Sequence, residues 1–142
     1  MSDSSLTPEE VGRLWFERMW DRREVNLIRE LLADNAVGHL EGGEEVVGHD
    51  AFEKFQQEFV AAIPDIRLSI NKLLSDGSDV CIHWDAKGTH DGPAFGCNAT
   101  GCKLEFQGVT WLRVKDGKIT EGWDFWNMDR VMRKMSGEAV GV

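Results

Sequence analysis

Residues 104–127, reading LEFQGVTWLRVKDGKITEGWDFWN, constrain the fold more than any other part of the chain. Two long runs rich in β-branched and aromatic residues flank Lys115-Asp116-Gly117-Lys118, whose composition is that of a tight turn between antiparallel strands. Near the end of the second run Asp124 stands between Trp123 and Phe125-Trp126. Water solvates a carboxylate far better than aromatic surface does. Such a group is either turned outward or held inside for a purpose.

The turn decides which. A two-residue Asp116-Gly117 turn pairs Lys115 with Lys118 and sets Asp124 on the face of Glu105, Gln107 and Arg113. A type I turn over Lys115-Asp116, with Gly117 as a left-handed bulge, pairs Val114 with Lys118 instead. Asp124 then joins Leu104, Phe106, Thr110, Leu112, Val114 and Trp126 on a mostly apolar face. The bulged turn is favoured, because only Gly117 need then be left-handed. A one-residue slip would flip every side chain.

At 142 residues the chain is expected to form a single domain, residues 1–142, with 1–6 and 137–142 frayed. A net charge of −9 and the absence of a basic stripe argue against nucleic acid and against anionic membrane surfaces. No apolar run approaches the ~20 residues of a membrane span. The acidic start MSDSSLTPEE has neither the basic nor the apolar region of a signal peptide, so no signal peptide and a cytoplasmic protein are expected. Cys81, Cys97 and Cys102 form neither a disulfide framework nor a zinc pattern.

Thr7-Pro8-Glu9-Glu10 is a helix start, with Thr7 as cap and Glu10 completing a capping box, and the helix should run to Asp21-Arg22. Glu24–Leu32 reads as a second helix, and Ala36–Leu40 as a short strand carrying His39. A polar loop at 41–45 leads to a third helix beginning near His49, with Phe52, Phe55, Phe59 and Val60 on its buried stripe and Pro64 after its end. From Asp65 the period changes to two, through Ile66, Leu68 and Ile70, then Val80, Ile82, Trp84 and Ala86. The hairpin follows a glycine-rich loop at 91–101, and Asn127–Met135 suggests a terminal helix. Helices first and four long strands in a row imply α+β, with helices gathered on one face of an antiparallel meander. The other face carries Val109, Trp111, Ile119, Trp123 and Phe125, apolar bulk that calls for a cover. A homodimer through that outer face is expected.

Phe59-Val60-Ala61-Ala62-Ile63-Pro64-Asp65, Trp84 through Gly92, Ala99-Thr100-Gly101 and Arg113 through Asp124, in that order and spacing, resemble the SnoaL-like polyketide cyclase family of the nuclear-transport-factor-2-like superfamily. The resemblance covers about residues 8–136. It implies a cone, in which N-terminal helices pack on a strongly curved antiparallel sheet and close an apolar pocket. It also implies ring closure by aldol chemistry without cofactor or metal, with Asp124 at the position of the proton-transferring aspartate. Thr110 stands where the family carries a companion histidine.

A carboxylate in aromatic surroundings is made more basic by desolvation, which suits proton abstraction beside a carbonyl. The enolate also needs a donor. His90, on the even face with Trp84, is the first candidate and His39 the second, while Thr110 and Asn127 could orient substrate or water. Trp84, Phe106 and Trp126 would line the pocket or fill the core. Asp124 could instead cap the following helix, and His90 could simply end its strand. His83-Trp84-Asp85 has the wrong alternation for a metal site. Two readings follow: a cofactor-independent enzyme acting by general acid/base chemistry on an apolar carbonyl compound (cyclisation, isomerisation or dehydration), or a non-catalytic binder of a hydrophobic ligand.

Overall fold

The computed structural model describes residues 6–41, 43–92, 101–127, 130, 131 and 133. Cys97, the Ala99-Thr100 pair, and Met132 and Met135 of the expected terminal helix lie outside them. Leu6, expected at the frayed end, packs against the core.

Helix α1 (Pro8–Leu14) opens on the expected capping box: the Glu10 amide donates to Thr7 Oγ1 at 3.2 Å and the Thr7 amide to Glu10 Oε1 at 2.8 Å. It runs on as a π-helical stretch (Trp15–Trp20), in which the Asp21 amide donates to Phe16 O, five residues back. Residues five apart then share a face, so Trp15 and Trp20 are buried together with Phe16 and Met19. Helix α2 (Asn26–Leu31) is shorter than expected, because Leu32 already opens β1 (Leu32–His39). A short strand β2 (Glu45–Val47) lies where only a loop was expected, and helix α3 (Gly48–Ala62) follows. Then come β3 (Arg67–Asp76), β4 (Asp79–Thr89), β5 (Lys103–Lys115) and β6 (Lys118–Trp126).

The sheet order is β2-β1-β6-β5-β4-β3. The four long strands form the expected antiparallel meander. One pairing departs from it: β1 lies parallel to β6, so the sheet is mixed. The helices and the inner sheet face bury one continuous apolar core, from Val11, Ile28 and Met19 to Val80, Ile82 and Leu112.

The hairpin corrects one expectation and reaches the same end by another route. Asp116 and Gly117 both have positive φ, 54° and 78°, and Lys115 pairs with Lys118. This is the two-residue turn, not the bulged one. Alone it would set Asp124 on the outer face. Val114 pairs with Ile119, yet Arg113 pairs with Glu121, which leaves Thr120 as an extra residue. The Thr120 hydroxyl donates to Arg113 O at 3.3 Å and fixes this bulge. Beyond it even residues face even ones, and Thr110 pairs with Asp124. Ile119, expected outside, precedes the bulge and so is buried inside, 2% exposed.

Candidate active site

The site is built around a cross-strand row on β4, β5 and β6. Trp84 lies opposite Gly108, where a Cβ would meet the ring carbon Cζ2 at 2.3 Å. Glycine therefore lets the indole lie flat across β5. Its Nε1 reaches Thr110 Oγ1 at 2.9 Å, and the Thr110 hydroxyl donates onward to Asp124 Oδ1 at 2.8 Å. The chain indole–hydroxyl–carboxylate orients one oxygen of Asp124 and leaves the other for a ligand.

Asp124 borders a cavity of about 70 Å³. Its wall takes Trp15, Phe16 and Trp20 from the π-helical stretch, Phe52, Phe55 and Phe59 from α3, and Trp84, Phe106, Leu112, Ile119 and Trp126 from the sheet. The rings meet mostly edge to face, as Trp15 does with Phe52 at 5.5 Å and Trp84 with Phe106 at 5.9 Å. Asp124 is half-buried and borders this space. Desolvation pushes its pKa from the ordinary 3.8 up to about 6. The Thr110 hydrogen bond pulls the other way, and the negative charge of Glu41 adds to the rise.

Of the residues expected to form the site, Asp124, Trp84, Phe106, Thr110 and Trp126 line the cavity. His90 does not. It is fully buried at the end of β4, where the amides of Asp91 and Gly92 both donate to Ala62 O at 3.1 Å, so it belongs to the packing under the end of α3. His39 follows Gly38, which faces the cavity, and strand alternation sends it outward. Its ring stacks on Trp123 at 5.4 Å, with Nε2 2.7 Å from Glu121 and Nδ1 3.2 Å from Glu45. Asn127 is the residue that caps the final helical turn: its Oδ1 accepts from the Arg130 amide at 3.0 Å. Asp124 is thus free of that duty.

Sequence reasoning missed the ring contributions of the π-helical stretch, since a buried helical stripe reads the same over a core and over a cavity. It also missed Glu41, whose Oε1 accepts from the Trp126 amide at 3.0 Å. The parallel ladder ends at the pairing of His39 with Trp123, so this side chain takes the place of strand pairing further along β6.

A helix-closed sheet around an apolar hollow with one carboxylate in its wall defines a nuclear-transport-factor-2-like α+β cone. The family model for SnoaL-like polyketide cyclases matches residues 10–135, and the chain belongs to that family. No curated protein matches it. Among solved structures it is similar to a proposed SnoaL-like polyketide cyclase from Jannaschia sp. CCS1, with a TM-score of 0.87, 19% identity and coverage of 98% of this chain and 100% of that one. It is also similar to IdmH, a proposed polyketide cyclase from Streptomyces antibioticus, at TM-score 0.78 and 25% identity over 93% and 99% of the two chains. AclR, a proposed hydroxylase from Streptomyces galilaeus, gives 0.79 and 26% over 95% and 83%.

Proposed function

We propose that the chain is a cofactor-independent enzyme that moves a proton beside the carbonyl of an apolar small molecule, with Asp124 as general acid/base. The observation that carries this is the placing of a carboxylate with a pKa raised to about 6 in a cavity whose wall, apart from the Thr110 hydroxyl, is mostly hydrocarbon and indole. Near neutral pH it is ionised yet poorly solvated, so it accepts a proton readily and can return it to carbon or oxygen. Aldol cyclisation, isomerisation and dehydration all begin with that transfer. The cavity, about 70 Å³, is well below the ~300 Å³ of typical small-molecule sites. Admission of even a single-ring substrate requires the cavity to widen.

The second reading is a binder without chemistry. Thr110 favours it, since a hydroxyl carries no positive charge to stabilise an enolate. We also propose that two copies pair through the outer sheet face, where Val109 and Phe125 are 36% and 52% exposed.

Deuterium exchange separates the readings. In D2O the enzyme should speed loss of the α-protons of a small aromatic ketone such as acetophenone, followed by proton NMR. Asp124→Asn should keep binding and lose at least ~100-fold in exchange rate. Binding with no accelerated exchange for any ketone tried leaves the binder.

A further inference from the structure

Proton removal puts negative charge on the carbonyl oxygen, which then needs a hydrogen-bond donor. Thr110 cannot supply it. Its oxygen accepts from Trp84 Nε1 at 2.9 Å and its single hydrogen goes to Asp124 at 2.8 Å, so both Thr110 and Trp84 are committed. Among the described residues the remaining cavity wall is hydrocarbon or phenyl, except for the indoles of Trp15, Trp20 and Trp126.

Geometry selects among these three. A base ~3 Å from the α-carbon and a donor ~3 Å from the oxygen stand roughly 6–8 Å apart. Alternate residues of one strand have Cα atoms about 6.7 Å apart on one face, so side chains rising from them can span such a gap. Trp126 is two residues from Asp124 on β6 and lines the same cavity, whereas Trp15 and Trp20 come from the helical side. Its amide is tied to Glu41 at 3.0 Å, and its ring rests against Phe106 at 5.3 Å and Phe59 at 6.2 Å. The wall residue with a polar edge is therefore held in place.

We propose that Trp126 receives the substrate's carbonyl oxygen, its indole N–H donating to that oxygen while Asp124 acts at the neighbouring carbon. This rests on the reading of Asp124 above. The ligand class it selects is a planar apolar ketone or aldehyde whose oxygen lies toward the end of β6.

The test uses acetophenone and its hydrocarbon counterpart ethylbenzene at about pH 8, where Asp124 is ionised and donates nothing. The carbonyl infrared band of bound acetophenone should lie below its position in hexane. Trp126→Phe should return it towards the hexane value and weaken acetophenone binding roughly five- to tenfold, leaving ethylbenzene unchanged. Trp15→Phe and Trp20→Phe should leave the band where it was. A wild-type band at the hexane position overturns the proposal, as does a band relieved by Trp15→Phe or Trp20→Phe. If Trp126→Phe fails to fold, a shifted wild-type band unmoved in the other two variants supports it by elimination. Equal binding of both probes with no band shift sinks the donor and spares the cavity. Failure of both probes to bind sinks the cavity reading together with the donor.

Discussion

The Thr110 hydroxyl stands 2.8 Å from Asp124 Oδ1, directly opposite it in the β5–β6 ladder, and donates to it. That bond favours the charged carboxylate and opposes the desolvation that raises its pKa. Thr110→Val keeps the shape and removes the donor, so the Asp124 pKa should climb further. The change also strands the Trp84 N–H in a buried place, at a cost of about 1–3 kcal/mol. Thr110→Ser should spare both. A carbon-13 NMR titration of the Asp124 carboxyl reads the first effect and urea unfolding the second. A carboxyl titration midpoint that falls in the valine variant contradicts the assignment.

Asp124 also gives stability a pH dependence of known sign. Its folded value, about 6, lies above the ordinary 3.8, so the folded chain holds this proton more tightly than the unfolded one. The contribution is intact below the unfolded value, is lost as pH rises through the folded one, and is flat above. The full loss is ~2–3 kcal/mol, since part of the carboxylate still meets the cavity. Asp124→Asn does not titrate. It should match the wild type near pH 3 and exceed it in stability by about that amount near pH 8. Urea unfolding across the range checks this, and a wild type that gains on the variant as pH rises would refute it.

Gly108 makes the row possible, because Trp84 occupies the volume of its missing side chain at 2.3 Å from an ideal Cβ. Gly108→Ala should push the indole away from Thr110 and cost about 2–4 kcal/mol through overpacking and the broken hydrogen bond. The sharper sign is the Trp84 indole proton. In the wild type it should be protected from exchange, and in the variant it should exchange freely. Retained protection would mean that the row tolerates the methyl group.

How far the sequence foretells this fold depends on the range of the interactions involved. The Thr7 capping box, the α3 stripe of Phe52, Phe55 and Phe59, and the alternation in β4 are set by neighbours a few residues apart and are read directly. The Thr120 bulge is set by the ladder it interrupts, and the parallel pairing of β1 with β6 joins strands separated in the chain by β2, α3, β3, β4 and β5. Neither leaves a local mark. His90 shares Trp84's parity, but only the position of the α3 C-terminus removes it from the cavity. The turn carries its own prediction. Asp116 sits at φ 54°, which Asn tolerates better and a β-branched residue poorly. Asp116→Asn should be neutral or mildly stabilising, whereas Asp116→Val should cost about 1–2 kcal/mol by thermal unfolding.

The outer face argues for a partner. Trp111 and Trp123 pack at 4.4 Å, with the Arg113 guanidinium over both at 5.7 and 5.3 Å. Beside them Val109 and Phe125, directly opposite each other on β5 and β6, remain exposed. A strand pair with apolar side chains on both faces gains stability by covering the second. Pairing of two copies would remove Phe125 from water, and a charge there would have to be desolvated on both sides of a twofold interface. Phe125→Glu should therefore turn a dimer into a monomer in sedimentation velocity while leaving the fold unchanged. Leu74→Glu, on the edge strand β3 and 60% exposed, should leave the dimer intact. A wild type that sediments as a monomer at every concentration would overturn the pairing of two copies through this face.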